Sequence, residues 1–242
     1  MQTRTPAIEN SANNQTRLNI EPALKKIQAV AGILFSVFLV LHLTNTALAA
    51  FGSGVYNQFQ QAIQGFYQFP LFELGFVLLP LITHAVVGIT LIFLRRAKGR
   101  SKAQTKHQLH TWAGFFLLLV VFGHVLATRG LGYFYDAAPG FEGVSFTLWW
   151  MPGYFYGYYF LLFMAGYYHS ALGIQHIARR FFQTGRKPSL NWRGNLTAAV
   201  IAVTALLAFG GVLFEIADPG DNDFARQYAK ILDLDLAKLG NR

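Results

Sequence analysis

Histidines His42, His84, His124 and His169 stand 42, 40 and 45 residues apart, each inside a different long apolar segment. An ionisable side chain is costly in hydrocarbon and marks a function there by default. Three kinds of chemistry suit such imidazoles. They can pass protons or hydrogen bonds between helices, complete a four-ligand zinc site, or bind haem iron from opposite sides as axial ligands. A single intramembrane histidine is well explained by the first. One on each of four successive segments, with a fifth segment lacking any, is the pattern expected for two bis-histidine haems in a helical bundle.

The elements that must carry these residues follow from hydropathy. A bilayer core of about 30 Å needs about 20 mostly apolar residues per helix, and five stretches qualify, near 27–51, 70–94, 111–128, 154–178 and 196–217. The expected fold is all-α: an integral membrane bundle of five transmembrane helices, the first four binding two stacked b haems. One domain spans 27–217, between a polar tail at 1–26 and a second tail at 218–242. Residues 1–21 are rich in Asn, Gln and Thr with no apolar core, unlike a signal peptide. Pro22 is expected near the start of the first helix.

The net charge of +9 raises the question of nucleic acid, and its distribution answers it. Arg95, Arg96, Lys98, Arg100, Lys102 and Lys106 crowd one connection, and Arg179, Arg180, Arg186, Lys187 and Arg193 follow the fourth stretch. Arg4, Arg17, Lys25 and Lys26 precede the first, whereas the connections 52–69 and 129–153 hold only Arg129. Alternation of this kind is the positive-inside pattern. It predicts a cytoplasmic N-terminus, an outside C-terminus and a multi-pass protein of the inner (cytoplasmic) membrane, with lipid and not nucleic acid as its partner. Absence of cysteine excludes disulfides and a cysteine-ligated iron–sulfur cluster in this chain. The aromatic run from Tyr133 to Tyr159 reads as a headgroup-level belt and a loop folded onto the outer face. The 218–242 tail is expected to form a short surface helix.

Topology converts residue number into depth, because an α-helix rises about 1.5 Å per residue. His42 and His124 fall in the outer halves of spans running outward; His84 and His169 fall at or inside the midplane of spans running inward. Equal depth pairs His42 with His124 and His84 with His169. Gly88 and Gly173 lie four residues after the inner histidines, on the same helix face, where each opens space beside its imidazole for a flat macrocycle. The outer histidines share threonine at that spacing, Thr46 and Thr128. Small residues also serve ordinary helix packing. Two depths disfavour zinc, which wants four ligands around one point. His107 and His110, in basic surroundings, read as solvated or interfacial. His176 is open to three roles: holding a haem propionate, lining a cytoplasmic-side pocket, or replacing His169 as ligand.

At these residues the chain resembles a family, the single-chain dihaem cytochrome b membrane subunits of succinate:quinone oxidoreductases, which include the fumarate reductases. The resemblance rests on His42, Leu43 and Asn45; on Glu73 followed by Leu79, Pro80, Leu81, His84, Ala85 and Gly88; on Gly123, His124 and Val125; and on Tyr168, His169 and Gly173. It covers about residues 25 to 217. The long polar N-terminus and His176 depart from the pattern. The resemblance implies two haem b groups and a quinone, with menaquinone the expected type. Its implied partners are a flavoprotein subunit with the succinate or fumarate site and an iron–sulfur subunit, both on the cytoplasmic side. Electrons would pass between the inner haem (His84, His169) and the outer haem (His42, His124), with quinone chemistry in or beside this chain, and a higher oligomer is compatible with that organisation.

Glu73 is the only acid within the first four stretches. One reading makes it a proton-transfer group for quinone; another makes it a headgroup-level carboxylate favoured by the helix dipole. Arg129 is the base nearest the outer haem and a candidate for its propionates. Arg95, Arg96, Arg179 and Arg180 are candidates at the inner haem, although the positive-inside pattern already explains them. Two other functions compete: a dihaem b subunit of another dehydrogenase, such as a hydrogenase or formate dehydrogenase, and a haem-free transporter or anchor using histidines as relays.

Overall fold

The structure, a computed structural model, describes residues 6–97, 105–135, 139–183, 189–216, 218 and 220–236. Among them every regular element is helical, and no strand occurs. The chain runs through α1 (Pro6–Leu48), α2 (Ser53–Tyr67), α3 (Pro70–Phe72), α4 (Leu79–Ala97), α5 (Thr105–Val125), α6 (Leu131–Tyr135), α7 (Phe141–Trp150), α8 (Pro152–Phe181), α9 (Trp192–Phe209) and α10 (Asp223–Leu232). A π-helical turn, Glu73–Leu78, joins α3 to α4, and a second, Leu126–Gly130, joins α5 to α6.

Among the described residues four helical stretches are long and apolar enough to cross a membrane: Ile20–Phe51, Pro70–Leu94, Gln108–Tyr135 and Trp192–Phe209. They leave large apolar side chains uncovered, such as Val37 (61% exposed), Leu119 (81%) and Phe122 (73%). The fourth expected span, 154–178, corresponds to α8, which has ample length at 30 residues. Its tyrosines, glycines and histidines leave it outside the apolar four. It nevertheless packs between α5 and α9 and also touches α1, while α4 lies along α1.

Several boundaries differ from expectation. The first helix does not begin near Pro22; it starts at Pro6 and continues through that proline. Proline lacks one backbone donor, so the helix continues there without the corresponding internal hydrogen bond. The third stretch extends beyond 128 because the π turn carries the helix on into α6. The fifth ends at Phe209 rather than near 217, where Gly210 is followed by Gly211 at φ +75°. Pro70 and Pro152 sit in the first turns of α3 and α8, where their missing donors cost nothing.

The connections expected to be loops are also helical. Helix α2 fills 53–67, and Tyr56 packs edge-on against Phe141 of α7 and Phe209 of α9. Burial pushes the Tyr56 phenol well above its ordinary pKa, so it stays neutral. Much of the aromatic run is core rather than belt: Phe146 of α7 is wholly buried beneath Phe224, Ala225, Trp149, Trp150 and Tyr228. The surface helix expected in the C-terminal tail forms as α10 and lies on α7. Tyr133, Phe134 and Tyr154 remain exposed, as belt residues would be.

Candidate functional site

The four histidines come together as two pairs, in the expected combination. His42 of α1 meets His124 of α5 with ring centres 6.0 Å apart and planes at 67°. His84 of α4 meets His169 of α8 with the same 6.0 Å separation and planes at 90°. A metal–imidazole bond of about 2.0 Å, plus about 1.1 Å from nitrogen to ring centre, would put two imidazoles on opposite sides of one metal about 6.2 Å apart. Both pairs fit that spacing. Among the described residues no group of three or more His, Cys, Asp or Glu gathers to hold a metal ion, so a four-ligand zinc set does not assemble there.

The two pairs lie at different levels. The His84 ring rests against Gln28 and Gly32 of α1, and His42 is 10–14 residues farther along the same helix. At 1.5 Å per residue the levels are about 15–21 Å apart.

Local bonding sets the chemistry of the His84/His169 pair. His84 Nδ1 lies 3.0 Å from the Gln28 carbonyl, and His169 Nδ1 lies 3.2 Å from the His110 carbonyl. A carbonyl only accepts, so each Nδ1 is the N–H donor and each Nε2 keeps its lone pair. Metal-binding histidines are oriented in this way, with the second nitrogen donating to a main-chain carbonyl or carboxylate. Each ring also lies over a glycine of the helix whose carbonyl it bonds. A Cβ on Gly32 would stand 2.9 Å from His84 Nδ1, and a Cβ on Gly114 would stand 2.9 Å from His169 Cε1.

Gly88 and Gly173, expected to open space beside their own imidazoles, each face a side chain of the neighbouring helix. A Cβ at Gly88 would meet the Gln28 side chain at 3.0 Å, and one at Gly173 would approach His110 Nε2 at 3.8 Å. At the other level, Thr46 donates to the His42 carbonyl at 3.1 Å and Thr128 to the His124 carbonyl at 2.8 Å. Phe38 stacks on His42 with ring centres 5.7 Å apart.

His110 is not a solvated residue. Its ring stacks on His169 at 4.2 Å and 12°, and its Nε2 lies 3.2 Å from the His169 carbonyl. His176 meets His110 edge-on at 5.7 Å, and it is His169, not His176, whose ring faces His84. The side chains of His107, Arg95 and Arg96 lie outside what the structure describes. Arg179 and Arg180 are exposed, and Arg180 sits over the Phe181 ring. The sequence signal that would have found His110 is a spacing: Gln28, Gly32, His42 and Thr46 recur as His110, Gly114, His124 and Thr128.

Glu73 and Arg129 bind one another. Arg129 Nε donates to Glu73 Oε1 at 2.6 Å and the Arg129 Nη2 group to Oε2 at 2.9 Å. Each partner lies in a π-helical turn, a feature often found at functional positions. Arg129, expected to serve a propionate, spends its guanidinium fork on this carboxylate. Nearby in sequence to His42, the buried Asn45 donates to Gln60 Oε1 at 3.3 Å, and its Oδ1 has no hydrogen-bond partner among the described residues. Gln60 in turn donates to the Pro139 carbonyl at 3.0 Å.

No protein-family model, curated protein or solved structure matches this chain.

Proposed function

We propose that the chain is a dihaem cytochrome b membrane subunit of the succinate:quinone oxidoreductase type, carrying electrons between a cytoplasmic flavoprotein and iron–sulfur pair and membrane quinone. The observation that carries this reading is the two imidazole pairs, each 6.0 Å between ring centres, with His42, His84 and His124 on helices long and apolar enough to cross a membrane and His169 on the 30-residue α8. Bound haem supplies one-electron chemistry that no side chain here has. The protein's share is to hold and tune it. His84 and His169 would ligate the inner haem, His42 and His124 the outer. The Gln28 and His110 carbonyls hold the inner imidazoles in the tautomer that leaves Nε2 free, and such a bond raises ligand basicity.

Glu73 would exchange the protons of quinone chemistry, menaquinone being the expected type. Arg129 donates to both of its oxygens, so taking a proton there weakens a charge-assisted pair. The paired geometry also aims the carboxylate, because a bidentate fork fixes both position and plane. The basic segments 95–106 and 179–193 would face the cytoplasm beside the inner haem, where the partner subunits dock, and α7 and α10 would cap the outside.

The test is haem stoichiometry on the purified complex, with each histidine replaced in turn. Two b haems per chain are expected, one lost in either His42→Ala or His124→Ala and the other in either His84→Ala or His169→Ala. Haem-free protein after expression with adequate haem refutes a cytochrome of any kind. Reduction of the haems by succinate, with a flavoprotein co-purifying, separates this reading from a hydrogenase or formate dehydrogenase subunit.

A further inference from the structure

The residues around the two histidine pairs repeat. Gln28 and His110, Gly32 and Gly114, His42 and His124, and Thr46 and Thr128 are each 82 residues apart. On the second helix of each pair, His84 and His169, and Gly88 and Gly173, are each 85 apart. The structure gives the members equivalent jobs. Residues 28 and 110 each offer a main-chain carbonyl to the Nδ1 of a histidine on the partner helix. Residues 32 and 114 are each glycines lying under that ring. Residues 46 and 128 each bond back to the carbonyl of a histidine four earlier. Residues 88 and 173 are each glycines facing the side chain of residue 28 or 110.

We infer that the site is two copies of one helix-pair unit, α1 with α4 and α5 with α8, and that Gly32 and Gly114 are equivalent positioning residues seating His84 and His169. Two helices per unit put both copies the same way up in a bilayer, the parallel form of repeat found in other membrane proteins. The seat has a simple helical logic. At 100° per residue, positions 28, 32, 42 and 46 fall within an arc of about 80° on one face of α1, and positions 110, 114, 124 and 128 do the same on α5. One stripe therefore presents a ligand at one level and a seat for the partner helix's ligand at the other. Glycine is required in the seat because the ring reaches the carbonyl four residues earlier only if no Cβ stands over it; the 2.9 Å approach at both positions is closer than real Cβ atoms tolerate. The ring must then move, and the Nδ1 bond that fixes its tautomer goes with it.

This assignment rests on the dihaem reading, and the experiment separates the two. Gly32→Ala and Gly114→Ala are made in the full complex, with Gly157→Ala on α8 as control, since a Cβ there meets nothing within 4 Å among the described residues. Haem content, the resolved midpoint potentials and the low-spin spectrum are read for each haem. Both seat variants are expected to lose the inner haem, at about 10–100-fold lower affinity, or to shift its potential and spectrum. The outer haem and the control should match wild type. Retention of both haems with unchanged potentials in both variants overturns the seat while leaving the dihaem reading intact. A wild-type complex without haem overturns that reading and the seat with it. Should Gly114→Ala lose both haems, the Gly114→Ala/His169→Ala double variant decides. Removing the ring removes the collision, so return of the outer haem supports the seat, and continued loss of both overturns it.

Discussion

The Glu73–Arg129 pair can be weighed by a double-mutant cycle, using Glu73→Gln, Arg129→Gln and the double change. Two unit charges at about 4 Å attract by about 4 kcal/mol at an effective dielectric near 20. Two terms reduce that figure. The arginine side chain keeps 35% of its exposure and the glutamate 14%, so solvent screens the pair from one side. Both charges also leave some hydration behind, which costs part of the gain. Against this, the 2.6 and 2.9 Å fork is bidentate and charge-assisted, the strong end of protein hydrogen bonding. Measured couplings between polar groups inside membrane proteins average about 0.6 kcal/mol and reach about 1.7. A coupling of about 1–2 kcal/mol follows, with each single variant destabilised by about 1–3 kcal/mol.

The assay is equilibrium unfolding in mixed micelles, monitored by helicity, with all four proteins measured under one detergent composition. The double variant should be less destabilised than the sum of the singles by the coupling energy. Additivity to within about 0.5 kcal/mol would refute the pairing as an energetic unit and leave the two π turns without a shared cause. The pair joins the helix of His84 to the segment following His124. Its loss should therefore loosen the junction between the two helix pairs before it disturbs either pair internally, and amide exchange at 73–78 and 126–130 should rise together in either single variant.

Two further predictions concern the elements around the site. Phe146→Ala empties the centre of the α7–α10 cluster, where the ring has no solvent exposure. A loss of about 3–5 kcal/mol is expected, visible as faster amide exchange across 223–232 with the histidine-pair spectra unchanged; unchanged exchange there would mean that α10 is held by something other than this ring. Asn191 caps α9 by accepting from Gly194 N at 2.8 Å. Asn191→Ala should cost about 1 kcal/mol and speed exchange at 193–195 without reaching the helix middle, and a uniform loss along α9 would count against a capping role.

What could be read from the sequence divides by the kind of coordinate involved. Depth along a span is residue number times rise, so the division of His42, His84, His124 and His169 into two levels was legible, and the structure pairs them accordingly. Hydropathy found the apolar stretches because lipid contact is one-dimensional information. It missed the helices at 53–67 and 141–150, because α2 and α7, at 15 and 10 residues, are too short to register as spans. Proline at 22 read as a start because propensity acts locally, whereas the structure carries the helix through it. Glu73 and Arg129 were each legible as unusual, one the only acid in its region and the other the only base. Their pairing was not, since they are 56 residues apart and meet through two π turns that no local signal announces.

His110 shows where the missing information resided. Its neighbours Lys106 and His107 and the adjoining basic connection suggested water, and composition alone supports that. Azimuth argues otherwise. Residues 110, 114, 124 and 128 share one stripe of α5 as residues 28, 32, 42 and 46 share one stripe of α1, and His124 fixes that stripe as the face toward a partner helix. A residue about four turns below a buried ligand on the same stripe faces the bundle interior as that ligand does, whatever charges lie beyond the helix end. Burial of His110 against α8 thus follows from its angle about the helix axis, and its closeness to the basic segment follows from its height along it. The two coordinates are independent, and a reading that uses only height mistakes a seat for a surface.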